Sequence, residues 1–79
     1  MYGNAILFPY KENVMKNFGI RLKMLREERG LSVEELAEKF GLKDIPLILW
    51  EQGKIAITIK TIIKLAKYFN VSVDYLLGL

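Results

Sequence analysis

Apolar and polar positions alternate along this chain with the spacing of short amphipathic helices. From Phe18 to Arg29, Phe18, Leu22 and Leu25 recur at intervals of four and three among Arg and Lys, the signature of a helix with one buried stripe. Gly30 follows as its C-terminal cap. Ser32-Val33-Glu34-Glu35 reads as a capping box, in which the serine closes the start of a second helix and Glu35 reaches back to it. Leu36, Ala37 and Phe40 form that helix's apolar face, and Gly41 ends it. Trp50 and Glu51 belong to a third helix, with Gly53 supplying the left-handed residue at its end. Thr58 caps a fourth helix, Ile59 to Phe69, whose inner face is Ile62, Leu65, Ala66 and Phe69. Ser72 caps a short fifth carrying Val73, Leu76 and Leu77. Five short helices with tight joints predict an all-α bundle.

Residues 1–17 stand apart as an N-terminal arm, leaving residues 18–79 as the helical domain. Within the arm, Ala5-Ile6-Leu7-Phe8 reads as a strand ended by Pro9 and Tyr10. Ile55-Ala56-Ile57-Thr58-Ile59 alternates in the same way. The two segments are candidates to pair, within one chain or between two.

Composition narrows the chemistry. Seventy-nine residues suit one domain with a small core. Histidine and cysteine are both absent. The commonest general base, the commonest transition-metal ligand, thiolate metal sites and disulfides go with them. The carboxylate pairs Glu27-Glu28 and Glu34-Glu35 fall on solvated helix faces, and no glycine-rich phosphate loop follows a strand. No catalytic constellation assembles. The expected protein is therefore not an enzyme and has no cofactor, metal or small-molecule substrate. A net charge of +3 permits nucleic-acid binding without arguing for it. The apolar runs Ala5–Pro9 and Ile45–Trp50 are too short to span a bilayer, and no secretory signal precedes them. The expected setting is the cytoplasm.

The stretch "KDIPLILWEQGK", Lys43 to Lys54, asks the functional question. Taken with "IRLKMLREERGLSVEELAEKFGL" before it and "IIKLAKYFNVSVDYLLG" after it, its close "WEQGK" gives the chain from Phe18 to Gly78 its likeness. It resembles the lambda-repressor-like (Cro/repressor, XRE-type) helix-turn-helix family. The resemblance implies a five-helix fold whose second and third helices form the helix-turn-helix. It implies a partly buried ion pair between Arg26 and Glu51, a core position for Trp50, and a place for Gly41 in the turn. It also implies a DNA-binding transcriptional regulator of the repressor type, typically dimeric, with the third helix in the major groove of double-stranded DNA.

Position by position, the implied base readers are Lys43, Asp44, Ile45, Ile48 and Leu49. Specific readout relies mainly on Arg or Lys to guanine and on Asn or Gln to adenine, and of these five only Lys43 is such a donor. Asp44 suits a cytosine amino group and Ile45 a thymine methyl. Pro46 disfavours helical angles at Ile45, so the third helix is expected to start at Pro46 with Ile45 outside it. The family often has glutamine where this chain has Val33. Lys54, Thr58 and Lys60 remain as phosphate contacts. The expected DNA binding is thus weakly specific. An alternative function uses the same fold as a protein-interaction or dimerisation module that has lost specific readout. Ile45, Ile48, Leu49, Ile55 and Ile57 would then form its interface with a second copy or another protein, unless the N-terminal "AILF" covers them.

Overall fold

The computed structural model of the chain describes residues 7–8, 12–41, 44–55 and 57–79, with the backbone alone at 7, 8, 12, 13, 44 and 45. Its elements run β1 (Leu7–Phe8), α1 (Glu12–Glu28), α2 (Val33–Lys39), α3 (Asp44–Glu51), β2 (Ile57–Thr58), α4 (Ile59–Phe69) and α5 (Val73–Leu77). The helices build the bundle that the apolar periodicity predicts. β1 and β2 add a two-stranded antiparallel ladder, with Leu7 opposite Thr58 and Phe8 opposite Ile57. The two alternating segments therefore pair within one chain. Ala5, Ile6 and Ala56 lie outside the described residues.

Local hydrogen bonds define the helix ends. Ser32 Oγ accepts from the Glu35 N–H at 3.0 Å, while the Ser32 N–H donates to Glu35 Oε1 at 2.8 Å, which completes the capping box. Thr58 Oγ1 accepts from the Thr61 N–H and Ser72 Oγ from the Tyr75 N–H, so each of these helices satisfies an orphan donor at its start. At the other ends, a residue with positive φ lets the chain turn back over the last carbonyls. Gly30 does this after α1, at φ 67°, where the Leu31 N–H donates to the Arg26 carbonyl. Asn70 does it after α4, at φ 58°.

The core gathers the predicted faces: Phe18, Leu22 and Leu25 from α1, Leu36 and Ala37 from α2, the four inner residues of α4, and Leu76 and Leu77. Each large side chain so enclosed contributes about 1.5–3 kcal/mol relative to exposure. Phe40 is only half-buried, packed against the rim of that core.

One boundary differs from expectation. α1 starts at Glu12, well before Phe18, so the latter part of the expected arm is helix. Val14, one turn ahead of Phe18, extends the buried stripe backwards and packs on the core. Asn17 lies against Gly78, and the Arg21 guanidinium sits 4.5 Å from the centre of the Tyr75 ring. Asn17 thus fastens the added turns to the cap of α5, and Arg21 continues the join one turn on; α5 packs along α1 as α3 does.

Candidate nucleic-acid interface

α3 is built to be held from one end. Leu47 and Trp50, three residues apart and so on one side of the helix, are buried in the core. Trp50 accordingly packs and does not offer a stacking platform. Glu51 is gripped by Arg26 of α1: Nε donates to Oε2 at 2.6 Å and Nη2 to Oε1 at 3.1 Å. This two-pronged geometry is the strongest that an arginine and a carboxylate can make. Arg26 Nη1 donates to the Leu31 carbonyl at 2.8 Å, so one guanidinium ties α3 to both α1 and the turn before α2. Its pKa is raised, chiefly by the hydrogen bond to Glu51; the group is a fixed cation.

Two glycines bring the backbones together there. At Gly19 in α1, an added Cβ would stand 2.5 Å from the carbonyl oxygens of both Trp50 and Glu51. Only a residue without a side chain lets α1 approach the end of α3 this closely. Beyond α3, Gly53 turns at φ 71°. The Gly53 N–H donates to the Trp50 carbonyl and the Lys54 N–H to the Leu49 carbonyl, at 3.0 and 2.9 Å. This double return closes the helix and leaves the Lys54 side chain in solvent.

The opposite side of α3 is open. Ile48 is 39% exposed and Leu49 half-buried, while Ile55, past the turn, is 37% exposed. Lys60 is exposed in the first turn of α4. Lys43 lies outside the described residues. Asp44 and Ile45 are present as backbone, in the first turn of α3.

Two expectations are corrected. Ile45 is helical, and α3 starts at Asp44. Pro46 still falls within the first turn, where the N–H it lacks would have no partner inside the helix. The first turn is therefore wound, not opened. Second, Ile57 is 2% exposed within β2, so it belongs to the core and leaves the proposed interface set. The Thr58 hydroxyl caps α4 as expected, accepting from the Thr61 N–H and lying 3.0 Å from Thr61 Oγ1. Sequence reasoning also passed over Gly19. A glycine inside an otherwise regular helix weakens it by about 1 kcal/mol relative to alanine, and that apparent defect was the available signal.

Among the described residues no group of His, Cys, Asp and Glu could hold a metal ion. No described helix is long and apolar enough to cross a membrane. The arrangement offers an anchored helix with a largely apolar outer face, followed in the chain by exposed Lys54 and Lys60.

Comparison with known proteins settles what kind of fold this is. A helix-turn-helix family model matches residues 22–76. The chain belongs to the helix-turn-helix family of the lambda-repressor-like, XRE type. Among relatives in this family, the HTH-type transcriptional regulator ImmR of Bacillus subtilis is 37% identical over 62 residues, covering 78% of this chain and 49% of its own. The chain thus spans about half the length of that relative. An HTH-type transcriptional regulator of Methanocaldococcus jannaschii is 37% identical over 60 residues, covering 76% of this chain and 86% of its own. Of solved structures, the DNA-binding domain of BldD superposes with a TM-score of 0.74 at 29% identity, over 85% of this chain and 97% of that one. The restriction-modification controller protein C.AhdI from Aeromonas hydrophila does so with a TM-score of 0.70 at 34% identity, over 78% and 94%.

Proposed function

We propose that this chain binds double-stranded DNA as the helix-turn-helix module of a transcriptional regulator, acting by binding and not by catalysis, in the cytoplasm. The family supports this reading, as do the regulators and the DNA-binding domain it resembles. The single observation that carries it is the asymmetry of α3. Its inner side and C-terminal end are locked to the core by Leu47, Trp50 and Glu51, while Ile48 on its outer side does little for the fold. A helix positioned so firmly, with one side left free, is suited to insertion into the major groove.

In this reading Lys54 and Lys60 meet phosphates, while Lys43 reads guanine, Asp44 accepts from cytosine, Ile45 meets a thymine methyl, and Ile48 and Leu49 add apolar contact in the groove. Phosphate contacts supply affinity and little sequence information, so binding is salt-sensitive and modestly selective. Fluorescence anisotropy on labelled duplexes of several sequences, at two or more salt concentrations, tests this. Lys54→Gln and Lys60→Gln should each lower the slope of log K against log salt by about 1. Absence of binding at low salt would refute the reading.

A second reading is favoured by the exposure of Ile48 and Ile55. The face they share with Leu49 joins two copies of the chain, or this chain to another protein. Sedimentation of the wild type against the double variant Ile48→Gln/Leu49→Arg separates the two. A self-association lost in the variant supports an interface, whereas a monomeric wild type places the same residues against DNA.

A further inference from the structure

A second surface, built by residues outside α3, combines basic and aromatic side chains around a hollow. Lys39 and Phe40 at the end of α2, with Lys64, Lys67 and Tyr68 of α4, line an open cavity of about 440 Å³. That lies in the range of small-molecule sites, which typically span about 300–1,000 Å³. Three of its five lining residues are lysines and none is acidic. Among the described residues none of the three forms an ion pair. The nearby carboxylate that feels Lys39 is Glu35, one turn earlier on α2 and held by the Ser32 N–H. Three lysines border one hollow with no acidic residue among its walls, and an anion placed there would meet positive charge from both helices.

The remaining walls are aromatic and fixed. The Phe40 and Tyr68 rings meet edge to face, with centres 5.3 Å apart at 78°. Tyr68 is braced from behind by Phe69, at 4.9 Å and 83°, and by the Arg29 guanidinium, 5.8 Å from its ring centre. Arg29 is itself anchored through a hydrogen bond to the Phe69 carbonyl at 3.1 Å. A wall held in place before binding costs little order when a ligand arrives.

We propose that the hollow between the end of α2 and α4 is a binding site for a phosphorylated small molecule with a flat aromatic body, the nucleotide class. Lys39, Lys64 and Lys67 take the phosphates, and the Phe40 and Tyr68 rings take the base. The proposal does not rest on the DNA reading, since its residues are distinct from those on α3. One competitor must be separated from it. Lys60, Lys64 and Lys67 recur at i, i+4 and i+7 along α4, a spacing that places them on one face. A DNA backbone following that face would meet the same lysines.

The test uses the whole chain and three probes: adenosine 5′-diphosphate, inorganic pyrophosphate and a random-sequence duplex, each titrated while backbone amide NMR shifts are recorded. The nucleotide should shift residues around Phe40, Lys64 and Tyr68 and bind about tenfold more tightly than pyrophosphate, because one aromatic stacking contact is worth that factor. Lys64→Gln and Lys67→Gln should each weaken nucleotide binding about tenfold, the loss of one charge-assisted hydrogen bond. Lys23→Gln, exposed on α1, should leave it unchanged. All three variants alter surface residues, and circular dichroism checks that they fold. Pyrophosphate binding equal to the nucleotide would overturn the proposal, since the rings would then contribute nothing. So would a loss of the same size in Lys23→Gln, absence of nucleotide binding, or a duplex that shifts the same amides and displaces the nucleotide.

Discussion

The starts of α2, α4 and α5 and the end of α3 are both fastened by hydrogen bonds, but over very different distances along the chain. Ser32, Thr58 and Ser72 each cap their helix through a partner three residues away. Glu51 is fastened to Arg26, twenty-five residues away, and the helix behind it can approach only because Gly19 has no side chain. The short-range bonds decide where helices begin. The long-range ones decide where α3 sits, and so which of its sides is left for another molecule. In this chain the outer side of α3 is thus set apart from the residues that fix its placement.

Glu51→Ala breaks the long-range side of this comparison most severely. The Glu51 and Arg26 side chains are 8% and 11% exposed, so removal of the carboxylate leaves a largely buried guanidinium with only the Leu31 carbonyl and the more distant Glu27 carboxylate, at 4.0 Å, as partners. Truncating one partner of a buried pair costs about 3–5 kcal/mol, which for a chain of this size lowers the melting temperature by more than about 10 °C. The exposed Glu34→Ala should stay within about 0.5 kcal/mol of wild type. Thermal melts of the two variants make the measurement. Similar melts would mean that the fork does not hold α3.

Gly19→Ala gives the next effect, and its sign is the point. In an ordinary helix interior the change stabilises by about 1 kcal/mol. Here the new methyl would meet two carbonyl oxygens at 2.5 Å, and forced overpacking costs about 1–3 kcal/mol. Destabilisation in chemical denaturation is the expected outcome. A more stable variant would show that α1 and the end of α3 can move apart freely, and that the anchoring of α3 is looser than the close approach implies.

What was legible in the sequence divides along the same line. The capping serines and threonine, the span of α4 from Ile59 to Phe69 and its four buried residues follow from patterns within one or two turns, and all were readable. The turn at Asn70 obeys the same local rule, but asparagine signals it more faintly than glycine. The start of α1 at Glu12 leaves little local trace, because Val14 is a lone apolar residue until Phe18 and Leu22 are seen to continue its stripe. Pro46 misled through a true local preference at Ile45, outweighed by the cooperative winding of the turn. Ile57 looks available because most of the core that encloses it comes from elements distant in sequence. At the candidate site, Arg26 and Glu51 became a pair only through resemblance to a family. The hollow beside Tyr68 needs two helices to be seen at all. Contacts between distant segments leave no periodic trace, so that part had to come from the fold.

The smallest effect tests the short-range side alone. Glu35 is fully exposed, yet its pKa is lowered, first by the hydrogen bond from the Ser32 N–H and then by the Ser32 side chain. A carboxyl with a depressed folded pKa stabilises the fold above its unfolded pKa, about 4.3. That contribution is lost as pH falls through the lower folded value. Glu35→Gln keeps an oxygen that can accept from Ser32 but cannot titrate. The wild type should therefore melt slightly higher than the variant from neutral pH down to about 5, and the gap should close as pH falls below the ordinary glutamate value and through the lower folded one. Melts of both proteins across that range, at constant ionic strength, give the comparison. A gap that persists unchanged into strong acid would mean that the charge at Glu35 adds nothing to the capping box. The start of α2 would then be held by the Ser32 hydroxyl and by helix packing alone.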